Sequence, residues 1–502
     1  MIRPLETIRR RLRPDSDFVA GYGTHMDRKT RSDLDLAIFA VCVGALFPVI
    51  TGFPGASPVF TAYLKELGLN DRQYGAILTI PQLTILIQIP FSVYLGKHGG
   101  IKRLSILSWL LLKPLFILLG VVPLFAGGLS PLAAILLASA VMFVGSSLLW
   151  IGDIGLNTWF GALIPPACKG QFFGMRQRMV TLFNVGFALL LAAILPKLAG
   201  NPYKYTILFT LAAVSGIADA LTYLRIRPPE NAYQPMDRSR LRPVRLASFL
   251  EPIRDRNYRP FLLFSIVWYF SLNIAGPYFN VYMLNTLGVT LGQQTFFTQI
   301  VPGLATFLFI SRMGRMNDRY GNRPVLLLSC AVVCLTPLIW LFVTPDTLFL
   351  IALVNITGGI FVTTVDLSVM NMAIFFASAE KRSVYLSVRS ISTILVGVVP
   401  AMLIGGVLSD WLTPLLEGRG IPFLLGQELN AFHILLIISL LLRLAGTFVF
   451  ARRIREPEAK SMRIMTAGLL SGGRDGLRRF RILAFQFATY FRNRFPARRN
   501  NP

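Results

Sequence analysis

Long apolar tracts alternate along the chain with short polar connections. Twelve tracts lie near 36–64, 73–95, 104–125, 131–162, 179–198, 204–224, 260–284, 291–311, 324–343, 347–375, 388–412 and 429–451. Each offers roughly the 20 residues that an α-helix needs to cross about 30 Å of hydrocarbon. Their length predicts helices rather than barrel strands, because a strand crosses in about ten residues and a lipid-facing backbone must satisfy its own hydrogen bonds. The pattern therefore predicts an all-α polytopic membrane protein with twelve transmembrane helices. The longest polar connection, 225–259, is rich in Arg and Pro and divides the spans six and six. The expected organisation is a tail (1–35), a six-helix bundle (36–224), a linker (225–259), a second six-helix bundle (260–452) and a basic tail (453–502).

Composition agrees with this map. The chain has 502 residues, 54% hydrophobic and only 15% charged, with a mean hydropathy of +0.59, beyond what a soluble core of that length needs. The net charge of +26 would suggest nucleic acid in a soluble protein. Here nearly all of the 50 Lys and Arg fall in the tails and the even-numbered connections, as membrane insertion alone predicts. That asymmetry argues against a nucleic-acid partner and puts both termini in the cytoplasm, with the chain integral to the cytoplasmic (inner) membrane. No apolar segment follows Arg9, Arg10 and Arg11 before Leu36, so no cleaved signal peptide is expected. Cys42, Cys168, Cys330 and Cys334 fall in spans or a cytoplasmic connection, which argues against a disulfide framework and favours packing for the Cys330/Cys334 pair.

The two halves repeat. YLKELGL (Tyr63–Leu69) over YMLNTLGV (Tyr282–Val289) matches Leu67 and Gly68 to Leu287 and Gly288. Further on, at one constant spacing, Asp153 matches Asp366, Lys169 matches Arg382, Phe172 matches Tyr385 and Arg176 matches Arg389. An acid in the fourth span of each half, followed by two basic residues at the same distances, marks two six-helix bundles in the same orientation.

Between spans 8 and 9 the chain reads GRMNDRYGNRP. It resembles the signature loop of the major facilitator superfamily, G-x-x-x-D-R-x-G-x-R, with Gly314, Asp318, Arg319, Gly321 and Arg323 in register. The matching loop of the first half, YLGKHGGIKRL, keeps Lys97, Gly99, Lys102 and Arg103 but has Gly96 where the acid belongs. The resemblance implies that the loop bridges neighbouring helices on the cytoplasmic side and helps hold that side closed in one state. Positive-inside charge alone explains Arg312 and Arg315.

Charges inside spans are costly, on the order of 2.5 to 3.5 kcal/mol on insertion scales. Lys113 lies roughly 13 Å from the cytoplasmic end of span 3, at about 1.5 Å per residue, and Asp153 of span 4 lies about as deep. Equal depth makes them candidates for an ion pair, with Lys97 as the competing partner for Asp153. Asp366 has no counterpart of Lys113; it can bind a proton or cation, or pair with Arg319 or Arg389. Asp219 in span 6 and Arg443 in span 12 are expected to snorkel in supporting roles, and His433 to be packed or interfacial.

In the resembled family the first helix of each bundle lines a central cavity. VITGFPGASP (Val49–Pro58) breaks span 1 with two glycines and two prolines. Span 7 has WYFSLNIAGPYFNVY, with Trp268, Asn273, Tyr278 and Asn280 around Gly276 and Pro277. With Gln82, Gln299, Asn157 and Asn371 these are the candidate cavity residues. More amides than charges point to a neutral or zwitterionic solute, although Trp and Tyr also favour interfaces and Asn can bridge helices.

In GLRRFRILAFQFATYFRNRF (Gly476–Phe495), the residues Leu477, Phe480, Leu483, Phe487 and Phe491 fall near one helical face with arginines flanking it. This predicts an interfacial helix drawn to anionic lipid. No G-x-x-x-x-G-K-[ST] motif is present, and His25, His98 and His433 lie in separate regions, so neither an ATPase nor another membrane enzyme is expected, and no cofactor or metal is implied. The resemblance implies a secondary active transporter of a small solute, possible carriers of the coupling being protons or another ion. The alternative is a receptor or assembly factor that keeps the fold without transport.

Overall fold

The computed structural model describes residues 28–53, 55, 57–88, 91, 101–125, 131–163, 169–227, 246–376, 382–416, 419–456 and 459–466. Ten helices among them are long and apolar enough to cross a membrane. They correspond to spans 1, 3 to 7 and 9 to 12. Tracts 2 and 8 are also helical, over Asp71–Thr84 and from Leu291 to Tyr320, but are not among the ten. Leu136, Phe143, Leu190, Val214 and Leu441 are exposed on the helix surfaces, a distribution suited to lipid and not to water.

The breaks fall where the sequence puts them. Span 1 consists of Arg28–Gly44, Leu46–Thr51 and Pro58–Glu66. Gly52 ends the middle piece with φ +66°, and Ser57 caps the last by accepting from the Phe60 N–H. Left-handed φ is what a glycine permits at a helix end. Span 7 likewise divides into Arg259–Asn273 and Tyr278–Asn285.

The repeat is physical as well as textual. Gly68 and Gly288 both have positive φ, +84° and +62°. Each is followed by a capping box, Asn70 with Gln73 and Thr290 with Gln293, in which cap side chain and third-residue side chain satisfy each other's amides. The same turn chemistry thus opens the second helix of each half.

The face carrying Arg227 and Tyr258, one from each described part of the linker, is called the linker face, and the other the far face. Towards the far face the buried side chains of both halves form one cluster, joining Phe60, Tyr63 and Tyr74 to Ile274, Tyr278 and Leu435. Towards the linker face there are two separate cores. Trp159, Phe160 and Tyr223 belong to the first half, and Tyr258, Phe261 and Trp268 to the second. The halves are packed together at one end and separately organised at the other.

Candidate functional site

The first half gathers three charges, Asp219, Asp153 and Arg176, about Lys113. This residue is 7% exposed, with Nζ 3.8 Å from the centroid of the Phe47 ring, a distance at which the ring face stabilises a cation. The Asp219 carboxylate acts on it most strongly, Asp153 less so. Asp153 in turn interacts first with Arg176 and then with Lys113. The expected Lys113–Asp153 contact is therefore part of a larger network, and no direct ion pair joins the two among the described residues. Glycines admit the bulk: a Cβ at Gly216 would come within 2.6 Å of Lys113 Cδ, and one at Gly44 within 2.6 Å of Asp219 Cβ.

The second half keeps the acid and the arginine but surrounds them differently. The Tyr269 hydroxyl donates to Asp366 Oδ1 at 2.6 Å, and the Arg389 guanidinium faces both groups. The residue is exposed at its edge, whereas Lys113 is enclosed. In span 12 the charge is Arg443, turned towards the third helix of its own half. It is 4% exposed and donates to the Val333 carbonyl at 3.0 Å and the Thr336 hydroxyl at 2.7 Å. Snorkelling does not describe Asp219 or Arg443. Asp219 Oδ1 is shut off from solvent, and burial of both follows from their facing spans 3 and 9.

At the break in span 1 a cavity of about 350 Å³ opens between the halves. Val49, Gly52 and Ser57 of span 1, Thr181 and Asn184 of span 5, and Gln299, Gly303 and Thr306 of span 8 line it. Asn184 Oδ1 is buried without a hydrogen-bond partner. Gln299 lies in a π-helical turn and donates through Nε2 to the Val49 carbonyl at 3.2 Å. The lining is uncharged, so it can hydrogen-bond a polar solute without selecting for charge. Asn184, Thr181 and Thr306 carry no sequence signal of their own.

Other candidates lie elsewhere. Trp268 is fully buried in the second-half core, Asn273 bonds back to the Tyr269 carbonyl, and Asn280 accepts from Gln294. Tyr278 is 2% exposed and donates to the Met402 carbonyl at 2.9 Å. Gln82 is half-buried on span 2, and Asn371 donates to Asn322. His433 is packed, stacked on Phe423 and within 3.3 Å of the Tyr282 hydroxyl. The Asn157 side chain, Gly96, Lys97 and the 476–495 segment lie outside the described residues.

In the signature loop, Gly321 joins the helices of spans 8 and 9 at φ +92°, a conformation that favours glycine. Glu456, beyond span 12, accepts from the Asn322 and Arg323 amides at 3.1 and 2.6 Å, placing a carboxylate at the N-terminus of span 9. Arg323 donates to the Arg452 carbonyl and Arg319 stands 5.3 Å from the Tyr320 ring. Gly314 lies within the span 8 helix, and of Asp318 the backbone alone is described, also helical. These described contacts all stay within the second half.

The sequence model of the Major Facilitator Superfamily matches residues 261–492. No curated protein matches the chain by sequence. Among solved structures, a mutant form of the nucleoside transporter NupG is 15% identical with a TM-score of 0.63, covering 84% of this chain and 100% of that one. A bacterial homologue of the iron transporter ferroportin in an inward-facing state is 12% identical with a TM-score of 0.62, covering 85% and 99%. A bacterial homologue of the human lysosomal transporter Spinster, inward-facing and unoccupied, is 13% identical with a TM-score of 0.59, covering 86% and 100%. Over residues 261–492 the sequence matches the Major Facilitator Superfamily, and over most of its length the chain has the fold of these solved transporters.

Proposed function

We propose that the chain is a secondary transporter that moves a small neutral or zwitterionic solute by alternating access, with the linker face and both termini cytoplasmic. The observation that carries this reading is the uncharged cavity between the halves, where Asn184, Gln299, Thr181 and Thr306 offer donors and acceptors beside the broken span 1. Discontinuous helices free backbone groups at membrane depth, and such positions suit solute binding. A nucleoside transporter is among the solved structures of like fold.

Asp366 is the residue to which we assign coupling. It has an edge open to solvent and a tyrosine hydroxyl on one oxygen, so a proton can reach it. The conformation fits an inward-open state: the cores merge only towards the far face. The inward-facing ferroportin homologue, at a TM-score of 0.62, also superposes better than the outward-facing one, at 0.51.

Purified protein in liposomes, offered pools of nucleosides, sugars, amino acids, organic acids and cationic drugs, tests the reading. Uptake from the uncharged or zwitterionic pools is expected. Thermal stabilisation by such a pool with no uptake would instead favour a receptor that keeps the fold.

A further inference from the structure

On the far face the two halves are fastened by a carboxylate. Asp410, near the far end of span 11 (Val399–Leu416 in its last helical piece), accepts from the Asp71 amide at 3.0 Å and the Arg72 amide at 3.1 Å. These are the first two amides of the span 2 helix, which lack partners within it, and the helix dipole favours an anion there. The Asn70–Gln73 capping box already serves the next amide, so Asp410 completes the helix end from the other half of the molecule. Around it, the Ser409 hydroxyl donates to Asp71 Oδ2 at 2.6 Å and Lys65 is ion-paired with Asp71.

The backbones themselves meet at this point. A Cβ at Gly406 would come within 2.9 Å of Arg72 Cα and of the Asp71 carbonyl, and one at Gly75 within 2.9 Å of the Met402 carbonyl. The Tyr74 hydroxyl shares a contact with Thr61 at 2.9 Å and reaches the Pro277 carbonyl at 3.4 Å. On the linker face the corresponding device is incomplete in sequence: the first-half loop has Gly96 where the resembled motif has its acid. The helix-terminal carboxylate described there, Glu456, binds within its own half.

We propose that Asp410, clamped on the first two amides of span 2, is the latch that holds the far face shut and makes the inward-open state the resting state of this chain. Opening the far face must break both bonds together, since they share one carboxylate and one helix end. The sequence of the first-half loop on the linker face has no acid at the position of the motif's carboxylate. The latch joins the two halves through residues 339 positions apart. The latch is independent of which solute is carried, and its test needs neither solute nor flux, so failure of the transport reading and failure of the latch are distinguishable.

Double electron–electron resonance tests it, on full-length protein with its native cysteines replaced by alanine. One pair of spin labels, at Tyr203 and Leu424, reports the far face; a second, at Arg225 and Arg453, reports the linker face. All four positions are exposed. Asp410→Ala is expected to lengthen the first distance and shorten the second. The outward-open population should rise about tenfold relative to the unsubstituted chain, the scale of one net hydrogen bond to a charged group. Unchanged distributions in both pairs would overturn the proposal. Should Asp410→Ala broaden both distances by unfolding, Asp410→Asn decides the question, because it keeps the shape and an acceptor for one amide. A smaller shift in the same direction supports the latch, and none overturns it.

Discussion

The fourth span of each half carries an acid and the fifth an arginine at matching positions, yet the two pairs have different surroundings. In the first half, Asp153 and Arg176 join Lys113 and Asp219 in a network of two acids and two cations, with Lys113 buried against Phe47 and Gly216. In the second half, Asp366 has Tyr269 and Arg389, and the span 12 charge, Arg443, has turned to a carbonyl and a hydroxyl of span 9. A network of opposite charges at membrane depth is costly to break, because removing one charge strands its partners in a medium that solvates them poorly. An acid with one hydroxyl, one guanidinium and an open edge can change state at lower cost. The same pair occurs twice, and its surroundings differ; the coupling role proposed for Asp366 rests on that difference.

The largest effect is expected from Lys113→Met, which strands Asp219 and Asp153 in the first bundle. A loss of about 3 kcal/mol of stability should appear as a lowered midpoint of thermal unfolding in detergent, and Arg389→Met should lower it less. Equal midpoints for Lys113→Met and the unsubstituted chain would end the distinction between the halves. Next, Asn184→Ala or Gln299→Ala should weaken solute retention about tenfold, the scale of about 1.4 kcal/mol for a hydrogen-bonding partner lost from a buried site, with the unfolding midpoint nearly constant. Retention unaffected by both substitutions would move the solute site away from the break in span 1. The smallest effect belongs to Tyr269→Phe: loss of its hydrogen bond to Asp366 should change the apparent proton dependence of uptake by about fivefold or less, and leave solute binding as it was. A change in binding as large as that of Asn184→Ala would show that Tyr269 touches solute.

Much of this fold is legible in the sequence, because tract length, glycine and proline act locally. The breaks at Gly52 and in span 7, and the repeated Leu-Gly turns at Gly68 and Gly288, stand where the residues place them. The second and eighth tracts are less plain, since Asp71, Arg72 and Gln73 open one and polar residues recur in the other. The paired acids and arginines were visible as a spacing. Their surroundings were not, because the facing of Asp219 and Arg443 depends on which side of spans 6 and 12 meets spans 3 and 9. A charge near a helix end reads equally as snorkelling or as buried until that packing is known. The contribution of Asn184 was likewise hidden: a single amide in an apolar span gains meaning only when spans 1, 5 and 8 are assembled around it. The clasp of Asp410 on span 2 joins segments from opposite halves, and no local pattern announces it.

The measurement closest to the central claim compares the unsubstituted chain with Asp366→Asn in liposomes that contain a pH-sensitive dye, using a solute identified from the pools. The account predicts that solute moves protons with the unsubstituted chain, and that Asp366→Asn loses proton movement and uphill uptake while solute exchange continues. Proton-driven uptake that persists undiminished in Asp366→Asn would contradict it.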